Sequence, residues 1–230
     1  WACMALFVFL GLVGLQSARM GVSGLIVELA QTELNRWAAT QARRGLGELN
    51  RVAGYFSESL GIIADNPWAL EGLGALDLAR VRVSRTPAEA VAFTRDAHTR
   101  FRQALQLRPT APFLWANIAR SKLLLDEIDE DFFRAMRYAD ELGPWEPASQ
   151  QTVLFAGLAT WGKLDSGLRQ SMAGILRRGS LRNAPKLYEI VKSYRRFDLV
   201  CGVAEYNSIA GPDCQRLEGG AKSGRRMNKG

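Results

Sequence analysis

The sequence predicts an all-α protein, with an N-terminal helix long and apolar enough to cross a membrane and a body of antiparallel helix pairs behind it. Three observations predict it. Residues 1–18 carry no charge, and the first ten, WACMALFVFL, are all apolar. From Gly47 onward, apolar residues recur at helical spacing, and no strand-like alternation of any length interrupts them. Breaks in that pattern coincide with Gly, Pro, Asn or Asp, the residues that start and stop helices.

Composition bounds the class. The chain has 230 residues, 47 % hydrophobic and 23 % charged, with a mean hydropathy of −0.09. Those values exclude wholesale disorder and a multi-span membrane protein. The formal charge is +7 and the isoelectric point about 9.7, a balance that points to a polyanion such as nucleic acid, anionic lipid or acidic polysaccharide. Three cysteines and one histidine argue against a structural zinc site, which takes four such ligands.

The first element is the uncharged run of residues 1–18, closed by Arg19. About 20 apolar residues span a bilayer as a helix, so the run reads as an uncleaved signal anchor. A buried core helix and a cleaved signal peptide are the alternatives. The stretch Gln16-Ser17-Ala18 lacks a clean small-x-small cleavage site, and Cys3 sits at the wrong end of the run for lipidation. Trp rather than Met at position 1 suggests a trimmed chain or a fragment, so the positive-inside rule gives no orientation. Residues 19–45 then read as an amphipathic stalk helix, with Val22, Leu25, Ile26, Leu29, Leu34 and Trp37 on one stripe.

Helices are expected near 47–64, 67–83, 88–107, 112–127, 130–142, 147–162, 165–178 and 184–197. Asn66-Pro67, Thr86-Pro87 and Asn183-Ala184-Pro185 each offer a capping residue followed by an early proline. The segment 46–197 is therefore taken as one helical domain. Residues 198–218 are expected to be a cysteine-containing loop and 219–230 a basic disordered tail.

Within the helical domain, Ala97, Phe101, Ala104, Leu105, Leu107 and Pro109 resemble the second helix of a tetratricopeptide (TPR) repeat. In such a helix, small residues let two helices approach, an aromatic fills the gap and a proline ends the unit. A second unit runs through Trp115, Phe132, Met136, Ala139, Leu142 and Pro144, and the prolines 109 and 144 stand 35 apart, against a TPR period of about 34. Leu70-x2-Leu73-Gly74 fits a first TPR helix, which leaves 80–91 as an inserted loop. A third pair, 147–178, carries a decayed motif. The expected body is a TPR-like α-solenoid, with an irregular helical bundle as the alternative.

The run LGPWEP at 142–147, GLATWGKL at 157–164, the pair Arg177-Arg178 with Gly179, Val200-Cys201 and Cys214 together resemble the VpsP-like family of exopolysaccharide-biosynthesis proteins of Gram-negative bacteria. The resemblance covers about residues 110–215. It implies an N-terminal membrane segment, a helical-repeat body and a place in an exopolysaccharide operon. It implies no catalytic motif.

No residue pattern announces an enzyme. His98 is the single histidine, one position past the packing residue Ala97, and no motif places a Ser or Cys partner beside it. The acidic cluster Asp126, Glu127, Asp129, Glu130 and Asp131 can ligate a hard cation, but it lacks the glycine and distal glutamate of a calcium loop. Its plainer reading is an inter-helix turn, with Asp129 capping the next helix. Phosphate-loop and dinucleotide fingerprints are absent, and no cofactor is expected. Cys201 and Cys214, thirteen apart around Gly202, Gly211 and Pro212, are expected to form a disulfide, which would place the body in the periplasm; two free thiols are the alternative.

Charge is segregated. Residues 163–197 hold nine basic and two acidic side chains, net +7, while 46–162 are net −3. The candidate partner or polyanion contacts are Arg177, Arg178, Arg182, Lys186, Lys192 and Arg196, since guanidinium groups grip carboxylates and phosphates with paired hydrogen bonds. An ordinary solvated helix face is the alternative. Trp115, Trp145 and Trp161 are further candidates, with core packing as their other use. Nucleic acid is disfavoured by the anchor and the lack of a reader motif. The expected function is a non-enzymatic scaffold: a single-pass protein of the bacterial inner membrane whose periplasmic body binds proteins of an exopolysaccharide assembly complex. A periplasmic module for acidic polysaccharide is the second expectation.

Overall fold

A computed structural model describes residues 1–40 and 44–227, with side chains described for 1, 3–37 and 44–217. All regular structure among the described residues is helical. The chain falls into two compact units, residues 1–109 and 110–230.

The first unit holds α1 (Ala2–Thr40), α2 (Leu46–Ile62), α3 (Pro67–Val81) and α4 (Pro87–Leu107). The expected anchor and stalk are one unbroken helix, α1, because nothing between Ala18 and Thr40 breaks a helix by geometry. Its first half is exposed, while Ser23, Val27 and Ala30 pack against Leu49, Val52, Ala53 and Phe56 of α2. A buried polar cluster registers the two helices. The hydroxyls of Ser23 and Ser59 lie 2.7 Å apart, and the Asn66 amide donates to Ser23 Oγ at 2.9 Å. The same Asn66 caps α3, its Oδ1 accepting from the Trp68 and Ala69 amides at 3.1 and 3.3 Å. Arg19 Nη2 donates to the Ile62 carbonyl at 2.6 Å, satisfying one of the orphan carbonyls at the end of α2.

Thr86 caps α4 as expected, accepting from the Glu89 amide at 3.2 Å. The expected insert at 80–91 contracts to residues 82–86, since α3 runs to Val81 and Pro87 opens α4. So short a link folds α4 back along α3. The two helices come close where Gly74 faces the Phe101 ring, and α2 meets α3 where Gly72 faces the Phe56 ring. Asp77, almost wholly buried, joins α3 to α4 by accepting from Arg80 at 2.6 Å and from Arg100.

The second unit holds α5 (Pro112–Leu124), α6 (Glu130–Leu142), α7 (Pro147–Ala159), α8 (Ser166–Ser193) and α9 (Asn207–Met227). α5 packs on α6 and α7 on α8, and both α5 and α6 also touch α7. The acidic cluster is a connection: Asp129 caps α6 by accepting from the Phe132 amide at 3.0 Å and pairs with Lys122 at 2.8 Å. Burial alone would lower the Lys122 pKa, but the hydrogen bonds that its ammonium donates to Asp129 and Glu127 outweigh it and raise it.

Beyond residue 164 the structure departs from the expected elements. Helices 165–178 and 184–197 are a single helix, α8, with Pro185 inside it. Pro185 removes a hydrogen bond to the Leu181 carbonyl, yet Leu181 is 80 % exposed and Pro185 lies on the same exposed face, where water can satisfy that carbonyl. Asn183 does not cap a helix. It is buried against α7, accepting from Gln151 at 2.8 Å and donating to the Pro147 carbonyl at 3.1 Å. The expected loop 198–218 is two short 3-10 turns, Phe197–Leu199 and Ala204–Tyr206, followed by the start of α9. The expected tail 219–230 lies on the backbone of α9 as far as Met227, and residues 228–230 lie outside the described residues.

Candidate functional site: a basic face on α8 and its flank

α8 packs one face on its neighbours through Leu168, Met172, Ile175, Leu176, Leu187 and Val191. That burial orients the opposite face outward. Arg177, Arg182 and Lys186 are exposed along α8, and no ion pair engages them among the described residues. Lys192, six residues beyond Lys186, is also exposed, with its Nζ 6.0 Å from the centre of the Tyr188 ring.

The other two expected cations are structural. Arg178 turns inward, its guanidinium on Asp140 and its Nε donating to the Pro144 carbonyl at 3.1 Å. It ties α8 to the end of α6. Arg196 holds Asp198 in a two-pronged pair at 2.7 and 2.9 Å, which raises the arginine's pKa and lowers that of the carboxyl. Its guanidinium also lies 3.9 Å from the centre of the Trp161 ring.

The three tryptophans separate in the same way. Trp161 stands half-exposed with Arg196 on its ring and Arg169 5.6 Å from its centre. Trp115 stacks on Tyr138 with ring centres 4.7 Å apart, and Trp145 is exposed on the α6–α7 connection. His98 is half-buried on α4. No cluster of His, Cys, Asp or Glu able to hold a metal occurs among the described residues.

Cys201 and Cys214 form a disulfide, with Cα atoms 5.6 Å apart. It staples the chain after α8 to α9. Tyr188 donates from its hydroxyl to Asp213, and Tyr206 donates to the Leu176 carbonyl at 3.1 Å, so both rings fasten this segment to α8. Burial, and for Tyr188 also the Asp213 carboxylate, pushes both phenols up to about 12. The fold-back encloses an open cleft of about 470 Å³, lined by Lys192, Arg195, Phe197, Asp213, Arg216 and Leu217. Sequence reasoning missed this cleft. The adjacent Arg195-Arg196 pair and the cysteine spacing were its signals, but only the disulfide shows that Arg216 returns to the end of α8.

The exposed cations of α8 thus stand at 177, 182, 186 and 192, while Arg178 and Arg196 are engaged in ion pairs. No protein-family model, no curated protein and no solved structure matches the chain. The class defined by the fold is an all-helical protein with one N-terminal helix long and apolar enough to span a membrane.

Proposed function

We propose that this protein is a membrane-anchored scaffold of the inner membrane, with a TPR-like body in the periplasm that assembles partner proteins of exopolysaccharide synthesis or export. The observation that carries the reading is α1. Its first half exposes Leu6, Phe7, Phe9 and Leu12, with Phe7 at 76 %, and no charge occurs before Arg19. Water disfavours that surface and hydrocarbon accepts it. The second half of the same helix enters a body of helix pairs.

The repeat reading is supported by packing detail. Phe101 fills the gap opposite Gly74, the role the TPR motif gives to its aromatic. α5 reaches past α6 to touch α7, which stacked helix pairs require. The disulfide supports an oxidising compartment. Assignment to exopolysaccharide assembly rests on the VpsP-like resemblance. Asp77, Asp129, Arg178 and Arg196 are engaged in caps and struts, which supports reading the body as non-enzymatic. The test is affinity capture of a tagged chain from detergent-solubilised membranes. Recovery of polysaccharide-assembly proteins is expected. Recovery of none, with normal polymer in a deletion strain, refutes the proposal.

A second reading has its own observation: Arg177, Arg182 and Lys186 are all exposed on α8, outside any ion pair among the described residues. On this reading the protein binds acidic polysaccharide there. Reversing these three to Glu should abolish binding to an acidic polymer, and wild-type binding should fall steeply with salt. Arg178 is left out of that variant because it holds α8 to α6.

A further inference from the structure

We infer that the α2–α3 turn and the adjoining end of α4 form a second membrane contact, a seat that rests in the phospholipid headgroup layer beside the emerging α1. The inference rests on the reading of α1 as a membrane span. Ala2 to Ala18 rises about 26 Å as a helix, against a hydrocarbon core of about 30 Å. Arg19, the first charge, therefore marks the depth at which the helix leaves the bilayer. The Arg19 side chain reaches the Ile62 carbonyl at 2.6 Å, and Ser23, one turn on, meets Ser59 and Asn66. These bonds hold the α2–α3 turn at the level of Arg19, within one compact unit.

What the turn presents at that level suits an interface. Trp68 opens α3 with half of its surface exposed, at 51 %. The Arg108 guanidinium lies 3.4 Å from the centre of its ring, and Arg108 pairs with Glu71 at 2.8 Å. Leu107, beside it, is 43 % exposed. An indole, a leucine and guanidinium groups at one height make the mixture that partitions to the headgroup region, with apolar bodies inward and polar tips on phosphate and water. Asp65 at the turn is exposed and charged, which sets the seat in the headgroups and not in the hydrocarbon.

The test uses the full chain in phosphatidylcholine–phosphatidylglycerol vesicles and lipids carrying a nitroxide at a shallow or a deep position. The Trp68 signal is the difference between wild type and Trp68→Phe. Expected is quenching several-fold stronger by the shallow probe than by the deep one, together with protection from aqueous iodide. Quenching by iodide and by neither lipid probe overturns the seat. A Leu10→Trp reporter in the Trp68→Phe chain separates the two claims. Strong quenching of Leu10→Trp by the deep probe, with Trp68 open to iodide, removes the seat and leaves the span standing. Failure of the deep probe at position 10 overturns both.

Discussion

Two glycines in neighbouring helices should respond oppositely to the same substitution. A Cβ added at Gly72 of α3 would lie 2.3, 2.5 and 2.7 Å from Cζ, Cε1 and Cε2 of Phe56, where carbon atoms normally meet at about 3.5–4.0 Å. Phe56 is fully buried, so its ring has no solvent to move into and α2 must shift from α3. Overpacking of this kind costs about 1–3 kcal/mol, and a ring that must be displaced by more than 1 Å belongs near the top of that range. Alanine returns about 1 kcal/mol of helix propensity. Gly72→Ala should therefore destabilise by about 1–2 kcal/mol. At Gly54 of α2, no atom lies within 4 Å of the added Cβ, so only the propensity term acts and Gly54→Ala should stabilise by about 1 kcal/mol. Thermal melts of both variants in detergent, followed by circular dichroism at 222 nm, should bracket the wild type, and hydrogen exchange should place the change in α2 and α3. The double variant Gly72→Ala with Phe56→Leu should recover part of the loss relative to Phe56→Leu alone. If Gly72→Ala raises the melting temperature as Gly54→Ala does, the close approach of α2 and α3 is wrong.

Three other outcomes are expected. Replacing Cys201 and Cys214 by Ser should cost about 3 kcal/mol by the loop-closure model and release α9 to protease, seen as a new cleavage between Asp198 and Arg216. Arg178→Ala should destabilise the second unit by about 2 kcal/mol through the loss of its charge-assisted bond to Asp140, whereas Arg177→Ala should stay within about 0.5 kcal/mol; urea melts compare the two. Absorbance titration at 295 nm should find Tyr188 and Tyr206 still protonated at pH 11, two of the five tyrosines. Their folded pKa of about 12 lies above the unfolded value of 10.0, so their stabilising effect is complete below pH 10 and is lost as pH rises through 12.

Local signals in the sequence carried much of the fold. Pro67, Pro87, Pro112 and Pro147 each stand at a helix start, and Asn66, Thr86 and Asp129 cap as their chemistry dictates. The cysteine pair was legible because its ends lie close along the chain. What escaped was decided by distant partners. Pro185 reads locally as a helix start, but α8 passes through it, with Leu181 and Pro185 exposed and Asn183 claimed by α7. Arg177 and Arg178 are indistinguishable in a list of basic residues. A rotation of about 100° between neighbours on a helix sends one to solvent and the other to Asp140, 38 residues away. The Ser23, Ser59 and Asn66 cluster joins residues 36 and 43 apart, each of them an ordinary polar residue in its own segment.

The continuity of α1 bears on how the body is presented. No hinge separates the apolar half of the helix from Ser23, Val27 and Ala30, which are core residues of the first unit. A body on a flexible tether would tumble and sample every orientation. On the proposed reading of α1 as a membrane span, the helix is a mast with its first deck built in, and the first unit would be held at one height above the membrane. A partner proposed to diffuse in the same membrane would then meet that unit always at the same level, and its search would be two-dimensional.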